Sequence, residues 1–167
     1  MLELTILAGL LFVLIGMVIA PQYRQYALSR ASKDAATTLS ADLAYLERAG
    51  QNSNAEEGST LVVESTNPFS YRGYLGRPRS LDPSTKLEQV LLHRTFPGVR
   101  LSEGPIGIQT PLLFANNGSA QYETGGNIAS QHQTIGFTLT SDTGGNSSLV
   151  QLNLFTGAVT VGSSAPG

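Results

Sequence analysis

The chain has 167 residues, a formal net charge of -2, 13% charged residues and no cysteine. That length leaves room for a helical segment plus one domain of common size, and the near-neutral balance supplies no global field to draw a polyanionic partner. Without cysteine there are neither disulfides nor thiolate metal sites.

In chain order, the first feature is Glu3, followed by seventeen uncharged and mostly apolar residues from Leu4 to Ala20 and then by Pro21. The first basic residues, Arg24, Arg30 and Lys33, come only after the apolar run. A secretory signal peptide has the opposite order, with its basic stretch first. A plain anchor fits no better, because the positive-inside rule would hold the rest of the chain in the cytoplasm. A basic leader ahead of Met1, since removed, resolves the conflict and is expected. As a helix, Leu4 to Ala20 would span about 25 Å, close to the hydrocarbon thickness of a bilayer. Pro21 removes a backbone donor and crowds the preceding turn, so with Gly16 it marks a helix break.

Beyond Pro21, Ala27, Ala31, Ala35, Leu39, Leu43 and Leu46 recur every three or four residues and define one apolar stripe. Arg30, Lys33, Asp34, Thr37, Ser40 and Glu47 fall opposite, and Gly50 reads as a stop. Residues 1–50 are thus expected as one long N-terminal helix, with 1–21 forming a membrane or filament core and 22–50 its amphipathic half.

Residues 51–167 are expected as a β-rich domain. After the polar stretch 51–58, Thr60 to Glu64 and Phe69 to Leu75 read as antiparallel partners. Pro78 and Pro83 lie in a loop. Leu87 to His93 fits either a strand or a helix, with the strand favoured by the early stop at Phe96-Pro97-Gly98; Val99 to Leu101 reads as a short strand, and Leu112 to Ala115 as a strand entering a hairpin at Asn116-Asn117-Gly118. Thr134 to Thr140, Leu149 to Leu154 and Ala158 to Val161 complete the set. The expected fold class is α+β, a long helix, apolar and then amphipathic, packed on an antiparallel sheet.

Chemistry finds little footing, and no catalytic residue, metal site or cofactor is expected. His93 and His132 are the only histidines and show no metal-ligand spacing. Asp82 and Asp142 adjoin turn residues, where local hydrogen bonds account for them. No Gly-x-Ser-x-Gly turn and no phosphate loop ending in Lys-Ser/Thr occurs, and the pairs Gly125-Gly126 and Gly144-Gly145 read as turns. Arg72, Arg77 and Arg79, near Tyr71 and Tyr74, form the one candidate basic patch, and no Lys or Arg follows Arg100, so nucleic-acid binding is not expected. Asn117-Gly-Ser and Asn146-Ser-Ser are acceptor triplets for glycosylation.

The N-terminal pattern (Glu3, Gly16, Pro21, then an amphipathic stretch bearing Tyr23 and Tyr26) resembles that of type IV pilin-like proteins. Phe96 to Leu101, Leu113 to Ala120, Ile135 to Leu139 and Val150 to Val159 follow the order seen in H-type pseudopilins and their minor-pilin relatives. One departure stands out: the family places its glutamate four residues beyond the peptidase cut, whereas only Met1 and Leu2 precede Glu3 here. The resemblance implies a prepilin peptidase, an assembly machinery in the inner membrane and other pilins as partners. It also implies a filament whose core pairs the Glu3 carboxylate with the α-amino group of Met1 on a neighbouring copy. The expected function is a structural subunit of an extracellular pilus-like filament, resident in the inner membrane before assembly. The alternatives are a type II secretion pseudopilin, acting in the periplasm, and a single-pass anchored periplasmic binding domain.

Overall fold

The computed structural model describes residues 30–52, 58–76, 89–104, 110–124, 127–128, 133–142 and 146–164, with the single positions Val13, Tyr26, Ile106 and Ile108. One helix, α1 (residues 30–52), is followed by β1 (Ser59–Thr66), β2 (Phe69–Leu75), β3 (Val90–Phe96), β4 (Val99–Glu103) and β5 (Pro111–Phe114). The remaining strands are β6 (Ala120–Thr124), β7 (Asn127–Ile128), β8 (Thr134–Ser141), β9 (Ser147–Asn153) and β10 (Val159–Ser164). They form two antiparallel sheets, a six-stranded one in the order β3-β2-β1-β5-β6-β7 and a four-stranded one in the order β10-β9-β8-β4.

This corrects the expected fold class. The described residues hold a helix of 23 residues and no long N-terminal helix, and about half of them lie in strands, so the fold is mostly β. The physical reason lies in the strands themselves. Val99, Ile135, Phe137, Leu139, Val150 and Leu152 point inward and are buried, which is enough apolar surface to demand a sheet of its own. The other break with expectation is at Gly50: α1 runs on through residue 52, and a Cβ at Gly50 would stand 3.1 Å from both the Phe114 carbonyl oxygen and the Ser59 nitrogen. Gly50 therefore permits close approach rather than ending the helix. The first half of the expected rod, with Gly16 and Pro21, lies outside the described residues.

The apolar stripe predicted for α1 is the face that packs. Ala35, Ala36, Leu39, Leu43 and Leu46 are buried and share one core with Leu61, Val63, Phe69, Tyr71, Leu112 and Phe114 of the larger sheet. The same core takes in Val99, Phe137, Leu139, Val150 and Leu152 of the smaller sheet. Each buried leucine or phenylalanine contributes about 1.5–3 kcal/mol by leaving water. Polar bonds fix the helix at both ends. Ser32 Oγ donates to the Asn146 carbonyl at 3.0 Å, and the buried Ser59 Oγ donates to the Leu46 carbonyl at 2.6 Å. The chain crosses from one sheet to the other at Pro97-Gly98, between β3 and β4, where Asp142 N bonds Gly98 O at 2.9 Å. The sheets meet again where Ala120 N donates to Leu154 O at 2.7 Å.

Among the described residues no helix is long and apolar enough to cross a membrane. Of Leu4 to Ala20, only Val13 falls among them.

Candidate functional site

The ion pairs among the described residues gather along β2 and β3 of the larger sheet, on both of its faces. β2 and β3 run antiparallel with Tyr71 opposite Arg94 and Arg72 opposite His93. Because side chains alternate along a strand, Tyr71 and Arg94 face α1 while Arg72 and His93 face away from it.

On the inner face, Asp42 of α1 sits within the apolar stripe, one helical turn from Leu39 and Leu46, and is only 7% exposed. A carboxylate buried there needs partners. Tyr71 Oη donates to Asp42 Oδ2 at 2.9 Å, and Arg94 donates from Nε to Oδ2 at 2.9 Å and from Nη2 to Oδ1 at 3.4 Å. The hydrogen bonds to Asp42 tighten Arg94's hold on its proton. Phe69 and Phe96 flank the site, with Tyr71 and Phe96 ring centroids 5.9 Å apart and Phe69 and Phe96 stacked at 5.8 Å. On the outer face, Glu64 accepts from Arg72 Nε at 2.9 Å and meets His93 Nε2 at 3.0 Å. Glu64 stands at the register shift between Val63 and Ser65.

Burial first, and the neighbouring Asp42 carboxylate second, push the Tyr71 phenol well above its ordinary range. The unfolded chain releases that proton near pH ~10, whereas the folded chain keeps it. Folding stability tied to Tyr71 is thus complete below about pH 10 and falls as pH rises past it, with a slope approaching 1.4 kcal/mol per pH unit, roughly. Urea midpoints measured from about pH 9 to about pH 11 should fall less steeply in Tyr71→Phe than in the parent chain. An identical slope in both would show that Tyr71 ionises as freely folded as unfolded.

What this arrangement does chemically is clamp α1 to β2 and β3. No group of three or more His, Cys, Asp or Glu among the described residues could hold a metal ion. The residues singled out in the sequence are not brought together here. Met1, Glu3, Gly16, Pro21, Asp82, His132, Arg77 and Arg79 lie outside the described residues. Arg72 turns to Glu64 and away from the face that holds Tyr71, so these two do not share a surface. His93 lies on a strand, half-exposed, with a carboxylate partner. Tyr26 is exposed, with the Arg30 guanidinium 5.1 Å above its ring. Asn117 is exposed in the turn between β5 and β6, where its Oδ1 accepts from Ser119 N at 3.0 Å and Ser119 Oγ at 2.7 Å. Asn146 is exposed just before β9, and its carbonyl is the acceptor for Ser32.

The clamp residues Asp42 and Arg94 were missed in the sequence, although a carboxylate inside an apolar helical stripe is itself a readable signal. Comparison with family models, with curated proteins and with solved structures returns no match.

Proposed function

We propose that this chain is a non-enzymatic structural subunit of a type IV pilus-like extracellular filament, assembled through its apolar N-terminal segment. The observation that carries the reading is the order of Glu3, the uncharged run Leu4 to Ala20 and Pro21, leading into a helix whose apolar face is already covered by its own domain. With that face used, the apolar run before Pro21 calls for lipid or other copies of itself as its cover. The inner membrane serves before assembly and the cell surface after it. Glu3 would set register between stacked copies, because an unpaired carboxylate in an apolar core costs several kcal/mol, roughly, unless a positive group meets it. Prepilin peptidase, an inner-membrane assembly machinery and other pilins are the partners this reading carries. Asn117 and Asn146, both exposed, would stand available to glycosylation on the fibre's outer surface.

Electron microscopy of material sheared from cells, with mass spectrometry of the subunit's N-terminus, tests this directly. Filaments built of this chain are expected, with Glu3→Ala absent from them while still accumulating in the membrane. Functional membrane-bound monomers, indifferent to Glu3→Ala, would overturn the reading in favour of an anchored periplasmic domain.

A further inference from the structure

An exposed sheet edge offers unpaired backbone donors and acceptors to any other strand, and proteins usually blunt such edges with charge, proline or a bulge. Two of the longer edges here are blunted in that way. β3 carries His93 and Arg94, both exposed. β4 carries Arg100 and Glu103, exposed, with a register shift between Leu101 and Glu103. β10 has none of these devices. Its sequence, Val-Thr-Val-Gly-Ser-Ser, holds no charge and no proline, and it pairs with β9 without a shift from Val159↔Leu152 to Ser164↔Ser147. Residues 160–163 are exposed, Val161 by 43%, and a Cβ added at Gly162 would meet nothing within 4 Å. Its other edge has no partner strand among the described residues.

The phase of this edge is fixed. Asn153 N donates to Ala158 O at 2.9 Å, so Ala158, Thr160 and Gly162 turn their backbone groups toward β9. Val159, Val161 and Ser163 then present theirs outward. For two copies of this strand to pair antiparallel through those three residues, the two-fold axis must pass at Val161. Val161 then meets Val161, and Val159 meets Ser163 twice over. That register gives about six backbone hydrogen bonds, two per facing pair. It places no like charges opposite one another and sets Thr160 against Gly162, where there is room for it.

We propose that β10 is a pairing edge for β10 of a second copy of this chain, joining two four-stranded sheets into one across a two-fold axis at Val161. A foreign strand would need some feature to select it, and β10 itself carries no charge for selection. Self-pairing needs only the phase and neutrality that β10 has.

The chain lacks cysteine, so Val161→Cys in the full-length protein, purified in detergent, carries a single thiol. A short bis-maleimide should convert it to a covalent dimer at concentrations where Thr95→Cys on β3 and Glu103→Cys on β4 remain monomers. Adding Ser163→Pro removes an outward donor and none of the bonds to β9, so the fold stays intact and the cross-link should be lost. Equal cross-linking at all three positions would mean that association through the apolar N-terminal segment alone brings copies together, and would overturn the pairing while leaving the filament reading untouched. A Val161→Cys chain that stays monomeric, or that cross-links unchanged with Ser163→Pro, would overturn it as well.

Discussion

Gly58→Ala is expected to destabilise the fold by roughly 3 kcal/mol or more, among the largest effects of any single methyl group in this chain. Gly58 precedes β1 with φ of +69°, a backbone conformation that costs an L side chain about 1–2 kcal/mol. The second cost is steric. A Cβ there overlaps the carbonyl oxygen and carbon of Phe114, at the end of β5, and these are backbone atoms that cannot rotate away. The start of β1, the end of β5 and the last turn of α1 at Gly50 all crowd this one carbonyl. Gly76→Ala supplies the comparison, since Gly76 has φ of +79° and open space where a Cβ would go. It should cost only about 1 kcal/mol. Thermal unfolding followed by the near-ultraviolet circular dichroism of the tyrosines measures both. Equal losses would mean that conformation alone sets the penalty and that the crowding at Phe114 is relieved without cost.

Asp42→Ala should cost about 2–4 kcal/mol, because it leaves the Tyr71 hydroxyl buried without an acceptor and opens space beneath α1. Arg94 is half-exposed and turns to water, so little of the loss comes from it. The informative variant is the pair Asp42→Ala with Tyr71→Phe. Removing both ends of a buried hydrogen bond is cheaper than removing the acceptor alone, so the double variant should be more stable than the sum of the single losses predicts, by about 1 kcal/mol or more. Losses that add within about 0.5 kcal/mol would show that the two groups do not act together.

Much of the strand pattern was legible. Phe69 to Leu75, Thr134 to Thr140 and Leu149 to Leu154 announce themselves by alternation, and Asn116-Asn117-Gly118 by its turn chemistry. So was the helix stripe, since Leu39, Leu43 and Leu46 are fully buried. The division into two sheets was not legible. Alternation tells which side chains point inward, but it does not tell which strand lies beside which. β1 pairs with β5, about fifty residues away, and nothing local in either sequence encodes that register. β6 escaped notice because Ala-Gln-Tyr-Glu-Thr has almost no apolar pattern; it is held instead by its pairing with β5. Asp42 was hidden for the converse reason. Its position on the stripe was plain, but its partners Tyr71 and Arg94 lie 29 and 52 residues further on.

The bond between Ser32 and Asn146 joins residues 114 apart in sequence. Chains dominated by such distant contacts fold slowly, since the loop must close before the contact rewards it. During synthesis, α1 therefore emerges long before β8 and β9, the strands that complete its cover. The end of α1 at Ser32 waits longest for its partner. Any holding factor that acts on this chain would have its window then, and a chain stalled before residue 146 would leave the Ser32 end of α1 without that bond.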